Sequence, residues 1–138
     1  IYMSDTLNSI GRLVVSVTTL RGIKGVPDAK VTIFTGTPET YEIIAEDTTD
    51  SSGKTKVFEL PTKEKALSEQ ADNGAIKVVP YSLYNIAVLA DGYARQLNLN
   101  VPIFAGVTTL QNMDITSLSA YAGGNNTIII DEMPKFNL

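Results

Sequence analysis

The chain has 138 residues, 43% of them hydrophobic, with a formal charge of −4 and no histidine, cysteine or tryptophan. This length and apolar content indicate one folded domain, and the acidic balance argues against a surface for nucleic acid. The missing histidine and cysteine exclude histidine-based catalytic triads and zinc sites of the usual kind. No apolar run approaches the ~20 residues that span a bilayer. We therefore expect no nucleic-acid binding, no membrane insertion, no cofactor and no enzymatic activity.

Seven short segments alternate apolar and polar residues, which is the period of a β-strand with one buried face. In chain order they are residues 12–19, 29–35, 41–45, 55–60, 84–90, 96–101 and 107–115. The side chains predicted to face inward include Leu13, Val15, Val17, Ala29, Val31, Ile33, Thr55, Val57, Leu60, Tyr84, Ile86 and Val88. On the third segment, Glu42 and Glu46 are expected to share the water-facing side. Short strands separated by turns predict an all-β domain over residues 11–115, a seven-stranded antiparallel Greek-key sandwich, after a loose segment at residues 1–10.

A polar turn at residues 48–54 joins two of these strands. We expect Asp50 to accept hydrogen bonds from backbone N–H groups of the turn, and Gly53 to adopt a positive φ. Ser51 and Lys54 also match an S-x-x-K pattern, but that catalytic motif needs its serine at the start of a helix inside a pocket. Turn chemistry therefore explains these residues better than catalysis does.

The same turn offers oxygen atoms from Asp47, Asp50 and Ser52 that could bind calcium. The spacing is not that of an EF-hand loop, and no bidentate glutamate follows at its last position. We therefore predict that these side chains cap the turn, and we assign no catalytic or metal-binding residue.

Residues 61–80 form a long connection between two predicted strands. Residues 63–70 have a helix-forming composition, and Leu67 and Ile76 are its larger apolar side chains. A connection of this length is either a crossover packed by these two side chains or a partner-binding loop, because long loops often carry function. Leu67 is therefore a candidate contact residue.

Residues 116–138 form a tail with a glycine- and asparagine-rich hinge at residues 122–126. Beyond the hinge, Ile128, Ile129 and Ile130 form a short apolar segment with high β-propensity. Such a segment can add to its own sheet or to the exposed edge of a neighbouring molecule. These three isoleucines are the second set of candidate contact residues.

Tyr81 and Tyr93 flank the long connection and a predicted hairpin turn at Asp91 and Gly92. Aromatic rings at such positions either pack on the domain or offer an apolar face to a sugar ring. Both tyrosines are therefore candidate residues for carbohydrate binding.

Three segments carry a resemblance to a known family. They are residues 11–17, residues 25–31 with a valine-proline-x-alanine step, and residues 49–55 with a threonine-aspartate-x-x-glycine turn. In this order they resemble the carboxypeptidase regulatory-like modules, which are transthyretin-like (Ig-like) β-sandwiches. Later pieces, including residues 80–86, 91–93 and 101–106, resemble the modules of clostridial spore-cortex lytic and related envelope proteins. The resemblance covers about residues 11–115, and it implies the fold more strongly than a function, because one fold serves many functions.

In that subgroup the module accompanies a peptidoglycan-binding or hydrolase domain, and no such domain lies within these 138 residues. The resemblance therefore implies a non-catalytic accessory or assembly module that acts by contact with a protein partner or by self-association. Two alternatives stay open, a module that binds carbohydrate, namely peptidoglycan, and a structural subunit of a phage-tail-like particle. No signal-peptide pattern is present, so the expected location at a bacterial spore or cell envelope rests on the resemblance alone.

Overall fold

The computed structural model describes residues 9–63, 81–119 and 127–133. Within these ranges the chain forms nine strands: β1 (Ser9–Thr19), β2 (Lys24–Gly25), β3 (Lys30–Gly36), β4 (Tyr41–Thr48), β5 (Phe58–Thr62), β6 (Tyr81–Leu89), β7 (Arg95–Phe104), β8 (Thr108–Asp114) and β9 (Thr127–Asp131). Over the same ranges there is no helix that is long and apolar enough to cross a membrane.

The strands form two sheets that pack face to face. In the four-stranded sheet, β1 pairs with β2, β5 and β8. The five-stranded sheet has the order β4-β3-β6-β7-β9. Two pairings, β1 with β8 and β7 with β9, are parallel, and the others are antiparallel.

The prediction of an all-β sandwich is confirmed, although the described residues contain nine strands and two parallel pairings where seven antiparallel strands were expected. The two additional strands are the two-residue β2, in a segment rich in turn-forming residues, and β9 in the tail. Strand β1 begins at Ser9, within the segment expected to be loose. Parallel partners need a long crossover connection, and local alternation of residues carries no information about which distant strands it brings together.

The core lies between the two sheets. Its fully buried side chains come from both of them, and include Leu13, Val15, Val17, Val31, Ile33, Ile86, Val88 and Met113. Val57 was predicted to face inward but is 51% exposed, because β5 begins only at Phe58 and its alternate residues Phe58 and Leu60 face the core. Thr55 precedes that strand, and its backbone N–H donates to the Val15 carbonyl on β1. The inward and outward alternation of side chains is therefore interrupted between Thr55 and Phe58.

The turn at residues 50–53 has the predicted geometry. The Asp50 carboxylate accepts hydrogen bonds from the backbone N–H groups of Ser52 and Lys54 at 2.9 and 3.0 Å. Gly53 adopts a φ of 89°, and a Cβ built there would lie 2.5 Å from the Val17 carbonyl oxygen. Only glycine fits this approach without displacing backbone atoms.

Candidate binding groove

The two tyrosines proposed from the sequence lie far apart and partly covered. Tyr81 is the first residue of β6, and its ring meets the Phe104 ring edge-on at a centroid distance of 5.4 Å. Tyr93 follows the other end of β6 and packs against the core. The nine residues of β6 separate them by roughly 30 Å, so they do not form one binding platform.

The three tail isoleucines lie in β9, which pairs with the chain's own β7. Ile128 and Ile130 lie opposite Gln96 and Asn98, so they share the face of the sheet that points toward the core. Ile129 lies on the outer face and is 58% exposed. Of the two arrangements considered for this segment, the structure shows addition to its own sheet. Leu67 and residues 122–126 lie outside the described residues.

A set of hydrogen-bonded side chains anchors β9, and we call it the polar edge: Gln96, Asn98, Gln111 and Glu132. Asn98 donates to the Glu132 carboxylate at 2.7 Å and accepts from the Gln96 amide at 3.1 Å. Gln111, on β8 of the other sheet, donates to the same carboxylate at 3.3 Å. Gln96 and Asn98 are 3% and 2% exposed. The end of β9 is therefore bonded to both sheets.

The oxygen atoms that suggested a calcium site already have partners. Asp50 Oδ1 accepts bonds from Ser52 and Lys54, and Asp47 Oδ2 accepts the backbone N–H of Lys56 at 2.8 Å. In the part of the chain that the structure describes, no three histidine, cysteine, aspartate or glutamate residues are grouped as metal ligands. The pKa of Asp50 is lowered, first by the Lys54 N–H and then by the Ser52 hydroxyl and N–H. These are the contacts of a stable turn.

A cavity of about 210 Å³ lies on the outer face of the five-stranded sheet, and we call it the sheet groove. Its apolar lining comes from β3, β4, β6 and the turn between β3 and β4, and consists of Phe34, Pro38, Tyr41, Ile43, Ala87 and Leu89. The Phe34 ring is 4% exposed because the Tyr41 ring lies edge-on against it, at a centroid distance of 5.7 Å. Tyr41 and Ile43 are 57% and 50% exposed, so the rim of the groove is apolar and open to solvent.

The polar lining of the sheet groove consists of Lys30, Thr32, Glu46 and Arg95. Lys30 lies opposite Leu89 on β6. The β6–β7 register ends with Val88 opposite Gln96, and its continuation by one residue places Arg95 opposite Leu89 on the other side. The two cationic side chains therefore rise from one row across the sheet, about 10 Å apart at the backbone because one strand separates them. Lys30 is paired with Glu46 at 3.6 Å.

A β-bulge shapes this groove. The register of the β3–β4 pair shifts between Ile33 and Phe34, so that Phe34 faces Ile43. The shift also places Glu42 opposite Thr35 and Glu46 opposite Thr32, on different faces of the sheet. The two glutamates therefore do not share one face of the sheet, although both are exposed to water as predicted.

The sheet groove was not predicted from the sequence. Two signals could have pointed to it. Phe34 is a large aromatic residue out of phase with the inward-facing set of its strand, and residues 43–44 are two consecutive isoleucines where alternation requires a polar residue. Both signals become specific only when the strand partners are known.

No protein-family model and no curated protein sequence matches the chain. Among solved structures, the chain is similar to the Bacillus anthracis TIE protein, with 15% identity and a TM-score of 0.47 over 79% of this chain and 17% of that one. It is also similar to the catechol 1,2-dioxygenases of Acinetobacter sp. ADP1 and Acinetobacter radioresistens, with 11% and 15% identity and TM-scores of 0.49 and 0.46. Those matches cover 92% and 94% of this chain and 60% of each enzyme. Similarities at this level identify no family for the chain and indicate no activity.

Proposed function

We propose that the chain is a non-catalytic binding module that contacts a protein partner through the sheet groove. The observation that carries this proposal is the combination of a concave apolar lining with exposed apolar residues at its rim. Soluble domains rarely leave such surface in contact with water unless another molecule covers it. Tyrosine is also enriched among the residues that dominate binding energies at protein interfaces, and Tyr41 stands exposed at this rim.

We also propose a protein family and a cellular location for the chain. The order of the valine-proline and aspartate-glycine turns supports a carboxypeptidase regulatory-like, transthyretin-like module, and that resemblance supports a role in assembly at a bacterial spore or cell envelope. In this role the sandwich serves as a rigid scaffold, and its turns and outer faces are available for contacts. The chain contains no histidine or cysteine to serve as a catalytic base or nucleophile, which favours binding over catalysis.

Site-specific photo-crosslinking tests this proposal. A benzophenone amino acid is placed at Tyr41, at the rim of the groove, or at Leu110, which is 62% exposed on the outer face of the other sheet. We expect a defined crosslinked protein from the Tyr41 position and not from Leu110 when the chain is mixed with an extract of its native organism. The purified partner should then bind the wild-type chain and not an Ala87→Arg variant, which fills the groove floor from an outward-facing position. Equal crosslinking at both positions, or binding that survives Ala87→Arg, would contradict the proposal.

One observation favours carbohydrate as a second candidate. The exposed ring of Tyr41 and the Lys30 and Arg95 side chains offer an apolar surface and hydrogen-bond donors at opposite ends of one groove. Calorimetric titration with soluble peptidoglycan fragments tests this candidate. Binding that is lost in Tyr41→Ala supports it, and no heat change at millimolar fragment excludes it.

A further inference from the structure

The charge of the sheet groove differs from that of the chain as a whole. The chain carries 15 acidic and 11 basic residues. Among the described residues, the charged side chains that line the groove are two basic ones, Lys30 and Arg95, and one acidic one, Glu46. A cationic, apolar groove on an acidic protein attracts a ligand of opposite charge, because complementary potentials steer association and select partners.

Both cations can turn toward a ligand. In the described part of the chain, Arg95 has no carboxylate within ion-pair distance. The Lys30–Glu46 pair joins side chains that are 60% and 42% exposed, and exposed pairs of this kind contribute little to stability. A guanidinium group binds a carboxylate through two parallel hydrogen bonds, so Arg95 is well suited to hold an acidic group.

The apolar end of the groove lies at a fixed distance from these cations. Lys30 and Phe34 are four residues apart on β3, which corresponds to roughly 13 Å along an extended strand. A peptide lying extended in the groove would cover this distance with four residues. Ile43 lies opposite Phe34, so the side chains at the two ends would then meet Tyr41 and Ile43 at one end and Lys30 and Arg95 at the other.

We propose that the ligand of the sheet groove is an extended peptide segment in which an apolar or aromatic residue lies four positions from an aspartate or glutamate, so that both side chains face the groove. The apolar side chain packs on Tyr41 and Ile43, and the carboxylate binds Arg95 with Lys30 beside it. This inference rests on the proposed function and adds the chemistry of the partner to it.

The inference can be tested with an array of random heptapeptides. Each peptide is acetylated at the N-terminus and amidated at the C-terminus, so that its only carboxylates are those of side chains. We expect the bound peptides to be enriched in an acidic residue four positions from an aromatic or aliphatic one. In fluorescence anisotropy titrations, Arg95→Glu should weaken binding of the best peptide at least about tenfold, and Arg95→Lys by less. Replacing the acidic residue of that peptide by its amide should weaken binding similarly.

Arg12→Glu is the matched control, because Arg12 is an exposed cation on the outer face of the four-stranded sheet, paired with Glu59 at 3.9 Å. It should change peptide affinity less than about twofold, and thermal unfolding should show that each variant remains folded.

Three outcomes would overturn the inference. If Ala87→Arg abolishes peptide binding but the bound peptides show no preference for acidic residues, the acidic ligand is refuted and the proposed function stands. The absence of any peptide whose binding depends on Ala87 would contradict both. Self-association of the chain that Arg95→Glu abolishes without added peptide would assign the groove to a second copy instead.

Discussion

The space between the two sheets is filled by different chemistry at its centre and at the side where β9 docks. At the centre, Ile33, Ile86 and Val15 are fully buried among other apolar side chains. At the polar edge, the buried amides of Gln96 and Asn98 are bonded to one another and to Glu132. The hydrophobic effect is non-directional, whereas a buried amide must find hydrogen-bond partners in specific directions. The centre therefore provides most of the stability, and the polar edge determines where β9 lies.

The largest effect is expected from Ile86→Ala, which removes a fully buried side chain from the centre. We expect a loss of about 3–4 kcal/mol in the free energy of unfolding, because both transfer energy and a cavity are involved. Urea denaturation measures this loss. The matched change Ile129→Ala, at a residue 58% exposed on β9, should cost less than about 0.5 kcal/mol. Equal losses at both positions would contradict the division between centre and edge.

The next largest effect is expected from Asn98→Ala at the polar edge. This change removes both a donor to Glu132 and an acceptor for the Gln96 amide, which remains buried. We expect a loss of about 2 kcal/mol, because an unsatisfied buried polar group retains its desolvation cost. Hydrogen exchange should show faster opening of β9 than of β6. Asn112→Ala, at an exposed residue of β8, is the control and should change the unfolding free energy by less than about 0.5 kcal/mol.

A smaller effect of opposite sign is expected from Thr62→Val. Thr62 is fully buried, and among the described residues its hydroxyl oxygen has no hydrogen-bond partner. Valine has nearly the same shape without that group, so we expect a gain of about 1 kcal/mol. Thr55→Val should be destabilising instead, because the Thr55 hydroxyl accepts from the Val15 N–H and donates to the Lys56 carbonyl. A loss of stability in Thr62→Val would show that the Thr62 hydroxyl makes a hydrogen bond in the folded protein, as the side chains of the polar edge do.

The smallest effect is expected from Asp50, which lies outside both regions on an exposed turn. Its pKa is lowered from the ordinary value of 3.8, mainly by the Lys54 N–H, so the folded state binds the proton less well than the unfolded state. The stabilisation is therefore present above pH 3.8 and is lost as the pH falls through the lower pKa of the folded state. In thermal unfolding, Asp50→Asn should lower the melting temperature slightly at neutral pH, and the difference should shrink in the acidic range. A difference that grows on acidification would contradict this assignment.

Much of the central architecture could be predicted from local patterns. The alternation in β1, β3 and β6 identified the inward-facing residues correctly, since a period of two with one apolar face leaves little choice. The Asp50–Gly53 turn was also predictable, because its hydrogen bonds join residues two to four positions apart. The Thr55–Leu60 segment was predicted less well because the alternation is interrupted before Phe58.

The candidate site was not predictable in the same way. The sheet groove depends on the bulge that places Ile43 opposite Phe34 and on the adjacency of β3, β6 and β7. The role of the Asp114 carboxylate could not be predicted either, because its partners are distant in sequence. Asp114 accepts hydrogen bonds from Thr18, Arg21 and Gly22, more than ninety residues earlier in the chain. Nothing near Asp114 in sequence indicates that it holds a turn, in contrast to Asp50.

The sequence by itself determined that the protein is an all-β sandwich, which side of its main strands is buried, and the form of the local Asp50 turn. These properties follow from period-two patterning and from bonds between near neighbours, which short segments contain completely. Only the tertiary structure decided the parallel partners of β1 and β7, the docking of β9 on its own sheet through Asn98 and Glu132, and the row of Lys30 and Arg95 beside the apolar groove. Each of these depends on the register between strands that are distant in sequence, and register is set by the packing of the whole domain.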